Sequence, residues 1–190
     1  MSTDQDIARF HLKSPAATAE IETVEIYHPA FVGREATPHR YRPVANANPG
    51  IDVALEDDTP ASFEPCPMKI DSLGAKDDLE AGLRIELGDL GEILGAELDA
   101  VAAADAATAE GDPSPYETKP TIWFRTYRSD ELGDPENLAK PLVGPLLLEA
   151  GPITVTGTGA WFEARAPRVI GTGVGESYRI ERFPMLRGAL

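Results

Sequence analysis

A single cysteine, Cys66, stands among 190 residues. One thiol excludes an internal disulfide and any multi-cysteine metal site. The chain has no run of about 18 apolar residues, so it holds no helical membrane span. Its start, Met1-Ser-Thr-Asp-Gln-Asp, lacks the basic beginning and apolar stretch of a signal peptide, and the expected folding compartment is the cytoplasm. Basic residues are scarce: 17 Lys and Arg face 32 Asp and Glu, a formal net charge of -15. A body of that charge disfavours binding to nucleic-acid phosphates. The three histidines, His11, His28 and His39, lie in separate segments without metal-ligand spacing.

What is present points to a folded, mainly β protein. Hydrophobic residues make up 42%, more than a disordered chain of this charge carries. The 17 prolines and 17 glycines predict many turns and few long helices. Residues 1–17 read as an arm with Ile7, Phe10 and Leu12 as anchors. Thr18 to His28 reads as a strand in which Val24 and Ile26 alternate with polar neighbours, while Ile21 is out of phase. Tyr41–Val44, Ile51–Leu55, Gly82–Gly88, Pro120–Tyr127, Pro141–Ala150, Pro152–Gly157 and Ala160–Ala166 are further strand candidates. Ser62–Ile70 is extended, but Pro65 and Pro67 confine it to an edge or a bulge. One helix is predicted over about 89–108. Asp89 and Glu92 have capping-box spacing, and Leu90, Ile93, Leu94, Leu98 and Val101 form one apolar stripe. Closely spaced strands with one inserted amphipathic helix predict an antiparallel β barrel or sandwich over residues 18–170.

The charge is uneven. From Asp52 to Asp112 there are seventeen Asp and Glu against Lys69, Lys76 and Arg84. From Ala160 onward five Arg outnumber three Glu. The last residues, Ser177 to Arg187, are aromatic, apolar and basic. Such a tail exposes too much apolar surface to remain in water, so it is expected to dock. Tyr178, Ile180, Arg182, Phe183, Met185 and Leu186 are the expected interface residues, with Gly171–Gly175 as a hinge.

Chemical motifs are few. Gly171-Thr-Gly-Val-Gly lacks a following helix and a closing lysine, so a hinge is favoured over a phosphate cradle. Cys66 has no base beside it and reads as a buried structural thiol. Trp123, Phe124, Tyr127 and Trp161 could form a carbohydrate platform, although on alternating strands half of them should face the core. No catalytic, cofactor-binding or metal-binding residue is predicted, and the chain is read as a non-enzyme without cofactors.

The order of these segments resembles a family of minor tail proteins of long-tailed, non-contractile bacteriophages. This is the tail-tip or baseplate-hub group, similar to the lambda-type minor tail protein L. The matching pieces are Glu25-Ile-Tyr-His-Pro, Phe63 with Pro67-Met68, and Leu83-Arg-Ile-Glu-Leu-Gly-Asp ahead of the helix. They continue through Pro120-Thr-Ile-Trp-Phe-Arg-Thr-Tyr-Arg-Ser-Asp and Gly144-Pro-Leu-Leu-Leu. The closing Arg182-Phe-Pro-Met-Leu looks like the family's Arg-Phe-Pro-Gly-Leu, with Met185 in place of Gly. The resemblance implies a tail-tube-like fold and a virion protein assembled in the host cytoplasm. It implies a ring, a trimer before a hexamer, linking the distal tail protein to the central hub or fibre protein. Some relatives hold an iron–sulfur centre on a C-terminal cysteine cluster; with Cys66 alone, none is expected here. Head-to-tail ring contacts suit a docking tail over 171–190. An acidic segment 52–112 lining the channel would let DNA pass without specific binding. The rival readings are an acidic DNA mimic that inhibits a host nuclease, and a carbohydrate-binding module or hydrolase using Trp123 and Trp161.

Overall fold

The computed structural model describes residues 19–34, 37–73, 82–88, 93–157 and 159–167. Among these residues it is mainly β with one α-helix, as the strand spacing predicts. In chain order the strands are β1 (Glu20–Tyr27), β2 (Gly33–Arg34), β3 (Thr37–Pro38), β4 (Arg40–Tyr41), β5 (Pro43–Val44) and β6 (Ile51–Ala54). They continue as β7 (Pro60–Pro65), β8 (Met68–Leu73), β9 (Gly82–Gly88), β10 (Thr121–Arg128), β11 (Val143–Ala150), β12 (Thr154–Thr156) and β13 (Gly159–Arg165). The helix α1 (Ile93–Ala106) lies between β9 and β10.

Among the described residues one sheet runs β6-β7-β5-β1-β10-β11-β13-β9-β8, with β4 also on β1 and β12 also on β13. It does not close: β6 and β8 end the path. Pairing is antiparallel except between β5 and β7, where Pro43 and Val44 run parallel to Glu64 and Pro65. The segment 62–70, read as one extended piece, is two strands broken at Cys66 and Pro67. β7 is internal despite Pro65. Its parallel bonds are donated by Glu64 N–H to Arg42 O at 2.8 Å and Cys66 N–H to Val44 O at 3.0 Å. Pro65, between them, therefore removes no donor that the ladder uses.

β1 and β10 pair along their whole lengths, from Glu20 opposite Arg128 to Tyr27 opposite Thr121. Both are buried on both faces, because they separate two cores. Val24, Ile26 and Ile122 face the first core with Phe31, Ile85, Leu87, Leu148 and Phe162. Ile21 and Tyr127, opposite each other across the pair, face the second core with Val44, Val53 and Phe63. Ile21 breaks the Val24/Ile26 phase because it serves the other face; successive side chains in a strand point oppositely. On α1, Val101 is buried in the first core and Leu98 packs against it, while Asp89, Leu90 and Glu92 lie outside the described residues.

Two glycines permit close approach of neighbouring strands in the sheet. Gly144 (φ 112°) sits where β11 carries one residue more than β10, between the pairs Phe124–Leu146 and Thr126–Val143. A side chain there would come within 2.7 Å of Phe124 O, so the bulge admits only glycine. Gly159 (φ 150°) passes so close to β9 that a Cβ would lie 2.0 Å from Leu87 O.

Candidate functional site

The most concentrated chemistry lies on the second-core face of β1 and β10. Glu25 stands in mid-β1 with its side chain fully buried. β4 and β5 flank β1 on one side, with Arg40 opposite Tyr27 and Val44 opposite Thr23, so Arg40 and Arg42 bracket the carboxylate. Arg40 bonds to Glu25 Oε1, and Arg42 donates to the same oxygen through Nη2 at 3.0 Å. From the other side Arg125 of β10 donates Nη1 to Glu25 Oε2 at 2.9 Å. Arg125, itself 2% exposed, turns its other edge to Glu56 in the loop after β6. Two parallel bonds join them, Nε to Oε2 at 2.9 Å and Nη2 to Oε1 at 3.0 Å. That fork is the strong bidentate form of the arginine–carboxylate pair.

Aromatic faces hold the outer guanidinium groups. Arg40 lies 5.4 Å from both the Tyr27 and Trp123 ring centres, and Arg42 lies 5.9 Å from Phe63. Three arginines against two glutamates leave one excess positive charge, which these rings help to accommodate. Burial alone would raise the Glu25 carboxyl, but Arg40, Arg42 and Arg125 overcome it and hold it below the ordinary range. The Arg125 bond does the same to Glu56 against a smaller cost of burial. Arg125 is pushed up: its glutamate partners outweigh the burial that opposes its charge. Burial raises the Tyr127 hydroxyl, which donates to Ala54 O at 3.3 Å. A carboxylate held ionised in this way is a poor proton donor near neutrality. The cluster is chemically suited to tie four backbone segments together and to define one register.

A second buried carboxylate is Glu97 on α1. It accepts Val32 N–H at 2.7 Å and Gly33 N–H at 2.9 Å, fastening the helix to the chain that leaves β1. Glu97→Ala should destabilise the fold by about 1–3 kcal/mol, since two amides lose a buried acceptor. Urea unfolding of the two proteins measures this, and a change within error would mean that water replaces the carboxylate.

The two described histidines, His28 and His39, are structural. His28 is buried; its Nδ1 accepts Ala30 N–H at 3.2 Å, so Nε2 carries the proton and faces Pro115 O at 3.2 Å and Thr118 O at 3.1 Å. His39 Nδ1 lies 2.7 Å from Phe31 O. His11 lies outside the described residues. Cys66 is a buried free thiol, as expected, and burial pushes its pKa up to about 11.

The aromatic residues do not make a platform. Tyr127 is in the second core, and Phe124 packs against the first. Trp123 is half-buried edge-on to Tyr27, their centres 6.3 Å apart. Trp161 is half-buried beneath Arg84, at 4.5 Å on β13. Each indole is thus taken up by its own arginine. Tyr178, Ile180, Arg182, Phe183, Met185, Leu186 and the Gly171–Gly175 hinge lie outside the described residues.

The remaining notable surface is an open strand edge. β11 meets β13 only through Glu149–Arg165 and Ala150–Ala164, so among the described residues 143–148 have no strand partner on that side. Val143 and Leu147 of β11 are 42% and 45% exposed, and Val155 of β12 is 51% exposed. Compared with models of known protein families the chain matches none, and no curated protein is significantly similar to it.

The ionic cluster has only a faint trace in the sequence. Glu25 and Arg125 each interrupt the apolar centre of a strong strand with opposite charge, which is the one signal that could have paired them. Arg40 and Arg42 come from a stretch of very short strands and Glu56 from a turn, and the destinations of all three depend on the tertiary fold.

Proposed function

We propose that this chain is a non-enzymatic structural component of the tip of a long, non-contractile bacteriophage tail. In this reading it forms a hub ring that joins the distal tail protein to the central hub or fibre protein. The observation that carries the reading is the apolar open edge of β11 and β12. Exposed, unpaired strand edges invite another chain, and soluble monomers generally blunt them with charge or cover. Val143, Leu147 and Val155 place apolar side chains where a partner would cover them. The ordered resemblance across residues 18–187 supplies the identity of the assembly. Bulged β11 and central β10 both belong to segments that carry it.

The buried ionic cluster supports the same role, because a ring component under load gains from a fixed register. Asp57, Glu110 and Asp112 are exposed and available to face a channel, whereas Asp58, Glu97 and Glu56 are engaged within the fold. A trimer is the preferred stoichiometry and the docking tail 171–190 its second contact.

The test is mass in solution, alone and with the distal tail and hub proteins, for the full chain, a chain lacking residues 171–190, and Leu147→Asp. The full chain should assemble or join its partners, and both variants should lose at least about tenfold in affinity, the loss of a modest interface anchor. A monomer indifferent to every tail protein would overturn the proposal.

A further inference from the structure

A cleft of about 720 Å³ opens beside the second core, between the turn before β6 and the loop after β10. Its apolar lining is Ile21, Ile51, Leu132 and Leu138, and the carboxylates of Asp52 and Asp134 stand with them. Asp52 accepts Ser62 Oγ at 2.6 Å, and Asp134 accepts the amides of Glu136 and Asn137 at 3.0 and 3.3 Å. Among the described residues no basic side chain lines it. The cleft therefore suits a segment that is both apolar and cationic.

Such a segment begins next to it. Ala19 is held by Ser129, whose N–H donates to Ala19 O at 2.9 Å while Ala19 N–H donates to Ser129 Oγ at 2.8 Å. Ile21, two residues later, already lines the cleft. The preceding residues read Ile7-Ala-Arg-Phe-His-Leu-Lys13, with three apolar anchors and two cations. The six residues from Lys13 to Ala19 span up to about 20 Å, ample for a return to the cleft. A tether this short also gives an effective concentration in the millimolar range, which favours the chain's own arm over a second copy.

We propose that the cleft is the docking site of this chain's own N-terminal arm, with Phe10 and its apolar neighbours against Ile21, Ile51 and Leu138 and with Arg9 and Lys13 toward Asp52 and Asp134. This inference is independent of the tail-tip assignment. Docking of the arm extends the second core and withdraws an apolar, acidic cleft from other chains.

Amide hydrogen exchange of segments 46–53 and 132–138 tests it. The full chain should exchange there at least about tenfold more slowly than a chain lacking residues 1–17, and at a rate independent of protein concentration. Full-length Phe10→Asp should show the same loss without truncation, and a synthetic peptide of residues 1–17 should restore protection to the truncated chain. Equal exchange in full-length protein and Phe10→Asp would overturn the proposal. So would protection that grows with protein concentration, which assigns the cleft to a neighbouring copy. Protection lost on removal of 168–190 instead would assign it to the C-terminal segment and overturn it as well.

Discussion

Glu25→Ala is expected to lower the free energy of unfolding by about 3–5 kcal/mol, the cost of breaking a buried ion pair from one side. The magnitude follows from what remains. Arg125 is 2% exposed and would keep only Glu56, and Arg42, 11% exposed, would lose its carboxylate partner in the cluster. Their desolvation cost stays when the opposing charge leaves. Glu25→Gln should recover a fraction of the loss by keeping a hydrogen-bond acceptor of the same shape, but not the charge. Guanidinium chloride would screen these charges, so urea unfolding is the suitable measurement. A loss below about 1 kcal/mol would show that the cluster behaves like exposed surface pairs.

The same cluster fixes the sign of an acid effect. Glu25 and Glu56 titrate below the ordinary glutamate value of 4.5 when folded, so they bind protons more readily when unfolded. Their contribution is complete above that value and is lost as pH falls below it through the depressed folded values. Stability of the native chain should therefore drop on the acid side, and Glu25→Gln should flatten part of that slope. An unchanged slope would locate the acid sensitivity elsewhere among the 32 acidic residues.

How far the sequence reveals this arrangement depends on the range of the interaction. Gly82–Gly88 carries a period-two pattern and Pro120–Tyr127 a dense run of β-branched and aromatic residues, and both are strands within a residue or so of the predicted limits. Strand order is not local. That β1 pairs with β10, about a hundred residues away, follows from which faces must be buried together. Ile21 shows the limit well: it looks like an error of phase until a second core exists on the other face. Glu97 shows the opposite failure. It lies one turn before Val101 on the buried side of α1, yet in a segment with seventeen acidic residues a single buried carboxylate has no distinguishing mark. The unclosed sheet and the parallel β5–β7 pair depend likewise on contacts that no short window contains.

Phe162→Ala should cost about 3–5 kcal/mol, the usual loss for truncating a fully buried phenylalanine, and it should weaken both cores together. Phe162 is fully buried in the first core, in β13 opposite Ile85 of β9. The second core touches neither strand, but the two cores share β1 and β10 as a common wall. Loosening Val24, Ile26 and Ile122 on one face frees the backbone that positions Ile21 and Tyr127 on the other. Two indoles allow this to be read directly, since Trp161 adjoins Phe162 on β13 and Trp123 lies on β10 beneath Arg40. With each tryptophan in turn replaced by phenylalanine, fluorescence-monitored unfolding of the Phe162→Ala protein should give coincident midpoints, both shifted from the parent. A midpoint that moves for Trp161 and stays for Trp123 would mean that the wall does not couple the cores, and that the sheet unfolds as two independent halves.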